Sequence, residues 1–127
     1  VSIAAADVFA DAGVPAIGVT CTNPQVTADC EQYFRICFLD PFQGTVMAAY
    51  AAEEMGYKTA AIISQNGDDY STGIAAYFKQ AFESLGGTIV ADETYQTNES
   101  DFNAILTTVK ASNAEYINGY LLSASVV

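Results

Sequence analysis

The 127 residues include no histidine, no tryptophan, four Lys+Arg, three cysteines and three prolines. Without histidine the chain lacks the commonest metal ligand and the commonest proton carrier near pH 7. Nucleophile pairs of the Ser-His or Cys-His kind are therefore excluded within it. Four basic residues against 15 Asp+Glu leave a net charge of −11. Such a field repels nucleic acid and anionic membranes, whose binding rests on Lys and Arg. Cys21, Cys30 and Cys37 are too few, and wrongly spaced, for a zinc site of paired CxxC motifs. Apolar runs break at Gly, Thr or a charge well short of the roughly 20 residues of a membrane helix. The chain has no initial Met and no basic or apolar leader, and it ends on Ser125, Val126 and Val127. Both ends read as cut, which leads us to expect a piece of a longer protein.

A composition of 51% hydrophobic and 15% charged residues is that of a globular domain with a real core. Lys58 to Ser64 (KTAAIIS) reads as a strand. After it comes a helix with Ile74, Tyr77, Phe78, Ala81, Phe82 and Leu85 at three- and four-residue steps. Gly86-Gly87 stops that helix, and a strand starts at Thr88 to Val90. Another helix begins near Asp101, with Phe102, Ile105, Leu106 and Val109 on one side, and Glu115 to Gly119 is the following strand. Upstream, a helix over Ala4 to Ala12 ends at Gly13, and Val14 to Thr20 reads as a strand entered through Pro15. Tyr33 to Phe38 is β-prone and runs into Asp40-Pro41-Phe42-Gln43. There Asp40 is expected as N-cap, Pro41 at the first helical position and Gln43 reaching back. This helix runs to about Met55 and Gly56. The alternation predicts a mostly parallel α/β sheet with helices on both faces. Only Tyr33 to Phe38 breaks it, since no helix separates that stretch from the strand before.

Ligands in open α/β sheets lie beyond the carboxyl ends of strands. Three loops qualify: Thr20 to Pro24, Ser64 to Gly73, and Gly119-Tyr120. Thr20, Thr22 and Asn23 offer hydroxyl, amide and main-chain donors suited to a small carboxylate, though Thr22-Asn23-Pro24 also fits a plain turn. Asp68 and Asp69 fit a turn and N-cap better than ligand contacts. Beside a pocket, two carboxylates disfavour a phosphate and favour an ammonium. Cys37, in an apolar strand, is expected to be an inert buried thiol.

The stretch from FRICFLDPFQGTV to NAEYINGY closely resembles the central part of the branched-chain amino-acid binding proteins, the type I periplasmic substrate-binding proteins of ABC transporters. Arg35 with the Asp40-to-Gly44 helix start, Tyr70 with Gly73, Gly86-Gly87 before a strand, and Asp101-Phe102 carry the likeness. It extends back through AGVPAIGVTCTNP. The resemblance implies a Rossmann-like fold of two lobes, with residues 1–34 part of the first, Arg35 to Leu39 the crossing strand, and 40–127 most of the second. It implies no enzyme and no cofactor. The expected function is capture of a small amino acid, or a related compound, for delivery to an ABC permease. The expected setting is the periplasm, or an extracytoplasmic lipoprotein. By the same resemblance Thr20 and Thr22 hold the ligand's carboxylate and amino group, Cys21 contributes backbone, and Tyr70 and Tyr120 line the second lobe. Export would also allow Cys21 and Cys30 to pair.

The family's first-lobe serine falls before Val1 and its ammonium acceptor beyond Val127. Made alone, the chain is therefore expected to form a strand-exchanged oligomer or to close into one rearranged sheet. A ligand-sensing domain on the same fold is the rival reading. A receiver-like domain is disfavoured, because no lysine follows a predicted strand.

Overall fold

A computed structural model describes residues 2–120. The elements are α1 (Ser2–Ala12), β1 (Ala16–Gly18), β2 (Tyr33–Arg35), α2 (Asp40–Ala49), β3 (Thr59–Gln65), α3 (Asp69–Ser84), β4 (Thr88–Tyr95), α4 (Asn103–Ala111) and β5 (Tyr116–Tyr120). A short 3₁₀ turn covers Pro24–Thr27, and α2 runs on into a π-helical turn over Tyr50–Glu54.

Among the described residues all strand pairs are parallel. They form two separate sheets, β1-β2 and β4-β3-β5. The single rearranged sheet allowed by the sequence is not what forms. Elements α1, β1 and β2 pack among themselves and with the 3₁₀ turn, whereas α2 through β5 make a second packed group.

The central strand β3 shows why both faces of the larger sheet are covered. Its run Ala60-Ala61-Ile62-Ile63 is buried throughout, as a central parallel strand with helices on both sides requires. Alternate residues serve different cores. Ala60 and Ile62 join Ala48, Ala51, Ile74, Phe78 and Phe82 under α2 and α3. Ala61 and Ile63 join Tyr95, Phe102 and Val109 under α4. Leu85 and Leu106, assigned to the apolar faces of their helices, are 38% and 49% exposed because they sit at the rims of those faces.

Two glycines set close approaches. A Cβ on Gly44 would lie 2.7 Å from the Phe78 nitrogen, so α2 and α3 cross with backbones nearly touching. Gly86 has φ +85°. Its N–H donates to the Glu83 carbonyl, and that of Gly87 to the Phe82 carbonyl, the paired bonds that close a helix through a left-handed residue.

Three local expectations are corrected. Asp40 is the first residue of α2 rather than its N-cap; Leu39 occupies the cap, and no side chain caps it. The Asp40 carboxylate is buried instead, at 1% exposure. Residues 35–39, expected as a crossing strand, do not form a continuous strand. The ladder ends at the Gly18–Arg35 pair, because the chain after Gly18 bends away and the Ile36 N–H to Gly18 carbonyl bond is the last from this stretch back to β1. Cys37 is consequently neither in a strand nor fully buried.

Candidate functional site

The residues after β1 and the residues after β3 face each other across a cleft of about 460 Å³. One wall is Thr20, Cys21, Thr22, Asn23 and Val26; the other is Gly67, Asp68, Asp69 and Tyr70. Ser2 and Ile3 close a third side. A smaller adjoining hollow is bounded by Thr20, Thr22, Phe38, Gln43 and Tyr70. Thr20, Thr22 and Tyr70 therefore border both spaces.

The threonine wall is an irregular loop held from behind. The Thr22 N–H donates to the Thr20 carbonyl at 3.1 Å, and the Thr22 carbonyl accepts from the Asp40 N–H at 3.0 Å. The Thr22 backbone is thus committed to bonds within the chain, so what Thr22 presents to the cleft is its side chain. Asn23 is committed too, since its Oδ1 accepts from the Gln25 N–H and caps the 3₁₀ turn. Cys21 turns its thiol toward Ser2 Oγ, 3.1 Å away, and lies within 3.9 Å of the Tyr33 hydroxyl. It fits there because Gly18 has no side chain; a Cβ on Gly18 would stand 2.6 Å from the Cys21 sulfur. Cys30 points elsewhere, donating to the Ala6 carbonyl, and all three cysteines are free.

The opposite wall is the start of α3. Asp68 is its N-cap, with Oδ2 accepting from the Ser71 N–H at 2.7 Å. The turn-and-cap reading of this residue holds, and the same geometry sets Tyr70 in the first turn facing the threonines. Charged side chains on the described cleft wall are Asp68 and Asp69, so the local field favours a cationic or zwitterionic guest.

Asp40 sits just behind the threonine loop. Neither of its oxygens has a hydrogen bond of standard geometry. Burial pushes its carboxyl above the ordinary range, while the neighbouring Thr22 hydroxyl and Arg35 charge pull the other way.

Four of the residues chosen from sequence, Thr20, Cys21, Thr22 and Tyr70, come together at the cleft. Tyr120 does not. It is 7% exposed, its hydroxyl accepts from Asn118 Nδ2 at 2.8 Å, and it packs in the core under α2 and α3. The period of two along β5 puts Tyr116, Asn118 and Tyr120 on that inner face. Burial pushes the Tyr120 phenol far above its usual range. Its carbonyl lies 3.4 Å from Ser71 Oγ and from the Tyr95 hydroxyl.

Ser2, Ile3, Phe38 and Gln43 are wall residues that sequence reasoning missed. The signal for the first two was available. A helix leading into a parallel strand starts at the carboxyl edge of the sheet, where ligands bind.

A sequence model of the periplasmic binding protein family matches residues 1–127. The Leu/Ile/Val-binding protein homolog 3 of Brucella melitensis is 36% identical over 123 residues, which are 94% of this chain and 33% of that protein. The leucine-binding protein LivK of Thermotoga maritima superposes with a TM-score of 0.88 at 32% identity, over 93% of this chain and 33% of that one. LivJ of Streptococcus pneumoniae, solved with isoleucine, gives a TM-score of 0.83 at 33% identity, again over 93% and 33%. The chain thus spans about a third of the curated relatives' length, and within that third it has the fold of these solute-binding proteins. With the family match running along all 127 residues, the chain belongs to the periplasmic binding protein family.

Proposed function

We propose that this chain is part of an extracytoplasmic solute-binding protein that captures a small amino acid, or a related compound, for uptake by an ABC transporter. One observation carries the reading: a threonine loop faces the Tyr70 helix start across a cleft with acidic side chains on its far wall. Thr20 and Thr22 supply hydroxyls for the ligand's carboxylate and amino group, Cys21 contributes its backbone, and Tyr70 forms the opposing wall. Tyr120 braces the Tyr70 helix through Ser71. Residues 1–34 belong to one lobe, 35–39 cross over, and 40–127 belong to the other. The separate packing of the two element groups supports this division; residues 121–127 lie outside the described part. The whole protein works outside the cytoplasm, as a free periplasmic protein or a lipoprotein, and partners an ABC permease.

The test is a thermal-shift and calorimetric screen of the intact protein with leucine, isoleucine, valine and other small amino acids. A ligand that binds only the folded state raises the melting midpoint. Micromolar binding of at least one is expected. Failure of every amino acid and carboxylate analogue to shift the midpoint would reject the reading.

Made alone, the 127 residues carry Ile17, Phe34 and Ile36 exposed at 65%, 55% and 73% on and beside the β1-β2 sheet. Uncovered apolar strands recruit other chains, so we expect self-association by strand exchange. Light scattering that returns a single-chain mass at high concentration would count against it.

A further inference from the structure

We propose that Arg35 is the positioning residue of the ligand loop: it does not line the cleft, but it fixes the backbone from which Thr20 and Thr22 project. The proposal rests on the binding function above. Arg35 closes β2 and turns its guanidinium into the concave side of the segment that follows β1. One terminal nitrogen donates to the carbonyls of Cys21 and Asn23, both at 2.9 Å. The other donates to the Pro24 carbonyl at 3.0 Å and to the Thr27 hydroxyl. All four N–H groups of the two terminal nitrogens are therefore used, on four residues of one seven-residue segment. Outside the 3₁₀ turn that segment has no ladder of its own. Without the guanidinium the Cys21 carbonyl would turn to water in whatever direction the chain allowed, while the Asn23 carbonyl would keep only its bond from the Val26 N–H. The fork is rigid and planar, so the acceptors must converge on it, and a lysine cannot reproduce that arrangement.

Geometry places Arg35 behind the site rather than in it. It is absent from the residues bordering either hollow. The loop is gripped a second time where the Asp40 N–H donates to the Thr22 carbonyl. Both grips come from the two ends of the segment 35–40 that joins the two element groups. The loop's shape is thereby tied to the position of that connection.

The test uses the intact protein carrying Arg35→Lys and, as a milder variant that keeps the guanidinium, Thr27→Val. Calorimetry with leucine, isoleucine and valine measures affinity, and amide hydrogen exchange of the ligand-free proteins measures the loop. Arg35→Lys should weaken binding by roughly tenfold or more, the range seen when a group supporting a ligating residue is removed. Thr27→Val should weaken it less. Exchange should quicken across residues 20–27 and stay unchanged in β3, a local readout that general destabilisation would not give. Added ethylguanidinium should restore part of the affinity of an Arg35→Ala variant. Unchanged affinity and exchange in Arg35→Lys would overturn the proposal, as would loss of protection spread equally over β3. If the unsubstituted protein binds none of these amino acids, the functional reading falls, and the exchange result alone decides whether Arg35 holds the loop.

Discussion

Asp40 and Thr22 show how one buried carboxyl and one hydroxyl are bound to the site's behaviour. A carboxyl whose pKa is raised by burial holds its proton more tightly in the folded chain than in the unfolded one. The stability this contributes is complete below the ordinary value of 3.8 and is lost as pH rises through the folded value. Asp40→Asn should therefore be more stable than the parent at pH 7, with the advantage shrinking toward zero below about pH 3.8, as read from urea midpoints across pH. An advantage that grows on acidification would show that Arg35, not burial, dominates. Thr22 borders both hollows, and its hydroxyl is proposed to meet a charged ligand group. Thr22→Ala in the intact protein should cost about 1–3 kcal/mol of binding, the loss when a buried charged group is left without its donor. Calorimetric affinity equal to the parent's would remove Thr22 from the site.

Among the elements, the α2–α3 crossing is the tightest constraint. Gly44 sits where a methyl group would strike the Phe78 nitrogen and the Tyr77 Cβ, each at 2.7 Å. Backbone cannot rotate aside as a side chain can, so the helices must separate. Gly44→Ala should destabilise the fold by about 1–3 kcal/mol, the usual cost of overpacking. Chemical denaturation would measure it, and a neutral result would mean the helices slide freely. Because α3 also carries Tyr70, the same substitution should displace one wall of the cleft. Further along, the π-helical turn after α2 places Ala51 and Ala52 in the core while Tyr50 stays 57% exposed. The extra residue of that wider turn brings the chain to Gly56, whose φ of +73° lets it reverse toward β3.

At the scale of the whole molecule, the cleft has two walls built by two element groups that pack mostly within themselves. The link between them is the short segment after β2 and the bond from the Asp40 N–H to the Thr22 carbonyl. Binding by closure needs walls held at a defined hinge, and the ordering cost falls on affinity when they are not. For the 127 residues alone, calorimetry with leucine should therefore show no binding tighter than about millimolar, worth about 4 kcal/mol. Micromolar binding by a single-chain species would mean that this third of the family's length already makes a complete site.

The sequence alone determined the elements whose signals are local. The buried run of β3, the spacing of Ile74, Phe78 and Phe82, and the Gly86 stop each depend on neighbours within a few residues, so the larger sheet with its helices was readable. That the threonine loop and Tyr70 border one cleft was readable as well, because the loops after parallel strands gather at the carboxyl edge of the sheet. Only the tertiary structure decided the rest. Whether Asp40 caps its helix or is buried depends on the loop folded back against it. Whether residues 36–39 extend a strand depends on β1 bending away after Gly18. Tyr120 faces the core or the cleft according to the one-residue register of β5 on β3. Arg35 finds its four acceptors in a segment eight to fourteen positions upstream. Contacts between residues far apart in the chain have no signature in local composition, and these are the contacts that give the cleft its shape.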